Sequence, residues 1–83
     1  MTIQVMVAVF DRAVQAYGRP FATPSRGAAL RSFVDEVKRE GSDMGKHPKD
    51  YELYQVGTFD DVAGVFSADL PELVIRGEDA YNS

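Results

Sequence analysis

Lys46-His47-Pro48-Lys49-Asp50-Tyr51-Glu52-Leu53-Tyr54-Gln55-Val56-Gly57-Thr58-Phe59-Asp60-Asp61 decides the fold of this 83-residue chain. A polar turn around Pro48 opens the stretch, an aromatic and β-branched run follows from Tyr51 to Phe59, and two aspartates close it. Residues of that kind suit a pleated, half-buried strand better than a helix. Leu53, Tyr54 and Val56 break the two-residue alternation of a one-sided strand, which predicts either cover on both faces or a bulge at Gly57. Asp60 to Gly64 then reads as a turn, with Val65-Phe66-Ser67-Ala68 returning as the fourth strand.

Upstream, Thr2 to Phe10 alternates Ile3, Val5, Val7 and Val9 with Gln4, Met6, Ala8 and Phe10, so the first strand is apolar on both faces. Asp11 to Ala16 connects it to Tyr17-Gly18-Arg19-Pro20-Phe21-Ala22, which reads as an edge strand because proline cannot donate to a central ladder. Thr23 before Pro24 is one helix cap and Ser25 is the alternative. From Gly27 to Glu40, Leu30, Phe33, Val34 and Val37 recur at helical spacing and predict a stripe against the sheet, while Arg31, Asp35 and Arg39 line a solvated ridge. Gly41 ends the helix, and Gly41 to Asp50 is a mobile loop by composition. These elements predict an α+β domain of order β-β-α-β-β, one helix packed on a mostly antiparallel sheet, with strand order left open.

Eighty-three residues support one domain, 1–83, within which 70–83 reads either as a docked segment around Leu73-Val74-Ile75 or as a disordered acidic tail. A core this small is thinly stable, and with no Cys and a single His neither disulfides nor a structural zinc reinforce it. A homodimer, formed through the sheet face opposite the helix or through an edge strand, is the expected source of extra stability. No apolar run approaches the ~20 residues of a membrane-spanning helix, and the start of the chain lacks a basic signal region, so a cytoplasmic protein without membrane contact is expected.

The net charge of −4 opposes indiscriminate attraction to phosphate backbones, so a nucleic-acid role needs a local basic patch. Arg31 and Lys38 on the helix, with Lys46 and Lys49 in the following loop, are the candidate patch, and Tyr51 is its candidate stacking ring. Arg26, Arg39 and His47 lie nearby in sequence, and Tyr17, Phe21 and Tyr54 are further rings. The opposing reading makes the rings packing residues and the charges a solvated face. Asp60-Asp61 is common turn chemistry, His47 has no Ser, Cys or acid partner at motif spacing, and neither a phosphate-binding glycine loop nor a G-x-S-x-G elbow occurs. A non-enzymatic protein without metal or cofactor is therefore expected.

Val9-Phe10-Asp11, the Tyr17 to Pro24 segment, Leu30-Arg31-Ser32-Phe33, and above all His47-Pro48 through Asp61 together resemble the small nonstructural protein of gokushovirus-type microviruses. These are tailless single-stranded DNA phages. The resemblance runs from about Val5 to Phe66 and departs at Lys38-Arg39-Glu40-Gly41 and in the tail. It implies a nonstructural phage protein of the host cytoplasm, acting in genome replication or packaging through single-stranded DNA. The alternative is an adaptor that binds a phage or host replication protein without touching DNA. The family brings no catalytic residues to carry over.

Overall fold

Alternating apolar residues from Ile3 to Asp11 form β1, the strand around which the sheet is built. The computed structural model describes residues 3–83, so Thr2, placed in this strand by the sequence, lies outside the described residues. β1 pairs antiparallel with β4 (Tyr51–Asp60) on one side, and on the other with two short strands, β2 (Ala16–Tyr17) and β3 (Phe21–Thr23). β5 (Val65–Arg76) pairs with the outer side of β4, completing a five-stranded antiparallel sheet.

The fold is α+β, as the periodicities predict. The expected second strand, however, is split in two. Gly18-Arg19-Pro20 interrupts it, since Pro20 has no N–H for β1, and only Gly18 N keeps a bond, 2.8 Å to the Val9 carbonyl.

The main helix, α1, spans Arg26–Lys38 and is capped by Ser25, whose Oγ accepts from Ala28 N at 3.1 Å. Thr23 instead turns its hydroxyl to the Ser25 carbonyl at 2.9 Å. The buried stripe is Ala29, Phe33 and Val37, with Val34 partly buried, and Leu30 sits at its margin, 37% exposed. Ala29 falls in line with Phe33 and Val37 at steps of four, so the buried stripe runs one position to the side of Leu30. Phe33 and Val37 then meet Val7 and Leu53, both fully buried, with Val5, Val9 and Ile75 at the edges of the core.

Gly57 lies beside a bulge. The pairing slips between Met6↔Gly57 and Val7↔Gln55, leaving Val56 as the extra residue of β4. A Cβ on Gly57 would stand 2.3 Å from the Ser67 carbonyl oxygen, so only glycine allows β5 to approach there. On β5, Asp69-Leu70-Pro71 is looped out between Ala68 and Glu72, and the strand runs on to Arg76 instead of ending at Ala68. Pro71 is tolerated because β5 is an edge strand.

Two segments expected to be irregular contain helix. α2 (Asp43–Lys46) and a 3₁₀ turn (Pro48–Asp50) occupy the 41–50 segment. Buried Ser42 holds them to α1, donating from Oγ to the Glu36 carbonyl at 2.8 Å and accepting from Gly45 N at 2.9 Å. The tail is docked, for Val74 and Ile75 join the core from β5 and α3 (Gly77–Tyr81) follows with Ala80 fully buried. Among the described residues no helix is long and apolar enough to cross a membrane.

Candidate nucleic-acid interface

α3 can reach the end of α1 because its first residue is glycine. Gly77 lies against the carbonyls of Pro48 and Tyr51, and Ala80 enters the core, so the chain that follows is held over the last turn of α1. Tyr81, 52% exposed, therefore stands with Lys38, Arg39 and Lys46 around an open depression of about 330 Å³. Lys38 Nζ donates to the Ser83 carbonyl, tying the tail to the helix. Arg39 is held by Glu36, its Nε and Nη2 donating to the two carboxylate oxygens at 3.0 and 2.9 Å. That hydrogen bonding lowers the Glu36 carboxyl below its ordinary pKa and raises the Arg39 guanidinium above its own. Both groups are exposed, so the pair orients a charge and adds little stability.

Lys46 ends α2 and also lines a neighbouring depression of about 260 Å³ with His47 and Lys49. Among the described residues neither Lys46 nor Lys49 has an ion-pair partner. Lys38, Lys46 and Lys49 are thus brought to one end of the molecule. Arg31 lies apart, two turns back on α1 and about 10 Å away along the axis, beside Ser25 and Gly27.

Tyr51 packs its ring against the core cluster. Its phenol pKa is raised, first by burial and then by the carboxylates of Asp11, Asp43 and Asp50. The exposed ring beside the cations is Tyr81, in the tail. Nothing local in the sequence links Tyr81 or Ser83 to Lys38 some forty residues earlier, whereas Arg39 was legible beside Lys38 as a neighbour of the basic patch.

Tyr17 and Tyr54 lie elsewhere, on the sheet face turned away from α1. With Phe10 they form a ring cluster whose centroids are 4.8 Å (Phe10–Tyr17), 5.6 Å (Tyr17–Tyr54) and 6.3 Å (Phe10–Tyr54) apart. Buried Glu52 accepts from the Tyr54 hydroxyl at 3.2 Å and lies 3.8 Å from Arg12 and 3.9 Å from Arg76. Burial, then the Glu52 charge, pushes the Tyr54 phenol pKa up. Phe21 pairs with Val7 and so shares the helix side of the sheet. Asp60 is occupied with its turn, accepting from Val62 N and Ala63 N at 3.0 and 3.1 Å.

Residues 4–80 match the family described as Phage ORF5 protein, a span that begins in β1 and ends in α3. The chain belongs to the phage ORF5 protein family. It is accordingly a small phage protein. No curated protein and no solved structure matches it. The family match takes in the tail through Ala80, whereas the resemblance seen in the sequence stopped near Phe66. β5 and most of α3 are therefore part of the family's common span, while Tyr81 lies just beyond it.

Proposed function

We propose that this phage protein is a non-enzymatic factor of the host cytoplasm, nonstructural and of gokushovirus type, that acts on the single-stranded DNA genome during replication or packaging. The observation that carries the proposal is the placement of exposed Tyr81 among Lys38, Arg39 and Lys46, with Lys49 next to them. Single strands are held by cations that track phosphates and by rings that stack on bases, a stacked base being worth about 1–3 kcal/mol. In this reading Tyr81 takes the stacking role assigned from the sequence to Tyr51, and Arg31 extends the phosphate path along α1.

Binding is weak, because the whole-molecule charge of −4 repels the ligand. Each phosphate neutralised contributes about −0.7 to the log–log salt slope for single strands, so three engaged lysines give a slope near −2. Titration of a fluorescent oligonucleotide from ~50 mM salt upward tests this. Lys46→Ala with Lys49→Ala flattens the slope by about 1.4. Tyr81→Ala weakens binding with the slope unchanged. Absence of binding at high micromolar protein, or equal binding to duplex, rejects the reading. The adaptor reading would then stand, favoured by Leu70, which is 90% exposed on the looped-out crest of β5 as an anchor for a partner protein.

A further inference from the structure

The depression around Tyr81 does not end at Lys46. Lys46 also lines the neighbouring depression with His47 and Lys49, and Lys49 and Asp50 in turn line a third, of about 480 Å³, together with Arg12, Gln15 and Glu78. Their shared walls join the three into one groove, which runs from the last turn of α1 past α2 and the 3₁₀ turn to the β1–β2 turn. Resting on the DNA reading above, we infer that the single strand follows this groove beyond Lys49, and that Arg12 is a further phosphate-binding residue at its far end.

Three observations support the inference. The first is that Arg12 is held at a fixed place beside Lys49. Its backbone N donates to the Asp50 carbonyl at 2.7 Å, which fastens the end of β1 to the turn that carries Lys49. The β1–β2 turn is closed around it. Ala13 N donates to Asp11 Oδ1 at 2.9 Å, and Gln15, in the left-handed region at φ 57°, donates from Nε2 to the Arg12 carbonyl at 2.8 Å. Cations set in a fixed array lose little freedom when a ligand arrives.

The second is that the Arg12 guanidinium is spare. Among the described residues its ion-pair partner is Glu52, 3.8 Å away and so beyond hydrogen-bonding distance, and Arg76 stands 3.9 Å from the same carboxylate oxygen. The Glu52 side chain, 12% exposed, needs a cation near it, and two are present. When Arg12 turns its exposed guanidinium to a phosphate, Arg76 still compensates Glu52, and no buried charge is left alone.

The third is the charge profile along the groove. Lys38, Arg39 and Lys46 face Glu40 at the Tyr81 end, Lys46 and Lys49 face Asp50 in the middle, and Arg12 and Lys49 face Asp50 and Glu78 at the far end. The excess of cations thus falls away towards Arg12, and Glu78 opposes the contact that Arg12 makes. Removing Arg12 and removing the Glu78 charge therefore act in opposite directions.

Titration of a fluorescent single-stranded oligonucleotide with the full chain, from ~50 mM salt upward, tests the path. A fourth phosphate contact takes the salt slope of three lysines, near −2, to about −2.8. Arg12→Ala weakens binding about fivefold and flattens the slope by about 0.7, Arg12→Lys restores binding to within about twofold, and Glu78→Gln tightens it about threefold. Arg19→Ala and Asp69→Asn make the same changes of net charge outside the groove, and salt screening holds each effect below about 1.5-fold. Arg12 lies on an exposed turn, so circular dichroism of its variants matches the parent. The amide resonances of Ala13 and Gln15 move when the oligonucleotide is added. Binding by the parent that Arg12→Ala changes no more than Arg19→Ala does overturns the path and leaves the Tyr81 site standing. So does a Glu78→Gln protein that binds no tighter than Asp69→Asn. Absence of binding by the parent overturns the path together with the DNA reading.

Discussion

Replacing Gly77 with Ala tests the junction on which the candidate site depends. A Cβ at Gly77 would lie 2.1 Å from the Pro48 carbonyl oxygen, 2.8 Å from the Tyr51 carbonyl oxygen and 3.1 Å from the Pro48 carbonyl carbon. These are backbone atoms of the 3₁₀ turn and of β4, so no side-chain rotation relieves the collision. To reach ordinary contact, α3 must withdraw by roughly 1.3 Å, which loosens fully buried Ala80 from Phe33 and Val37. The expected loss is about 2–3 kcal/mol, or roughly 10 to 20 °C of melting temperature in a chain of this size. Gly27→Ala makes the same chemical change in the first turn of α1, where the nearest atom to the new Cβ is Ser25 Oγ at 3.9 Å. That variant gains about 0.5 kcal/mol from the lower entropy of its unfolded chain. Thermal unfolding followed by circular dichroism compares the two. A Gly77→Ala protein melting within ~2 °C of the parent refutes the reasoning. If α3 is displaced as argued, Gly77→Ala also loses the oligonucleotide binding that depends on Tyr81.

Leu53→Ala, at a fully buried position on β4 that faces the α1 stripe, costs about 2–5 kcal/mol in denaturant unfolding, and a cost below ~1 kcal/mol would contradict the core described here. Truncation after Asp69 removes Val74, Ile75 and Ala80 from the core, so the shortened chain loses cooperative unfolding; a cooperative transition near the parent's would show the tail to be dispensable. The raised phenol pKa values of Tyr51 and Tyr54 lie above the ordinary tyrosine value of 10.0. Their contribution to stability is fully present below that pH and is lost as pH rises through the raised values, because the unfolded chain releases those protons first. Melting temperatures measured from pH 8 to 12, alongside tyrosinate absorbance, therefore fall above pH ~10 more steeply in the parent than in Tyr51→Phe.

Short-range regularities in the amino-acid order determined much of the fold. The alternation of Ile3, Val5, Val7 and Val9 marked β1, the helical spacing of Phe33, Val34 and Val37 marked α1, and the broken alternation of Leu53, Tyr54 and Val56 left a bulge at Gly57 as one of two readings. Each depends on contacts made within one element or by one face of it, so a few neighbouring residues carry the whole signal. Tertiary packing decided the rest. The fourth strand read as Val65 to Ala68, yet β5 runs on through Pro71 to Arg76 because an edge strand needs no inward N–H at a looped-out residue. Leu30 looked like core, yet Ala29 takes its place because packing on the sheet selects the line of residues 29, 33 and 37 and leaves Leu30 at its edge. Lys38, Lys46 and Lys49 come together, while Arg31 stays apart and Tyr51 turns to the core. Tyr81 reaches the cations only because Gly77 lets α3 pass under two carbonyls. No local pattern could announce that contact, since its geometry is set by backbone atoms more than twenty-five residues away and by the space they leave for a missing Cβ.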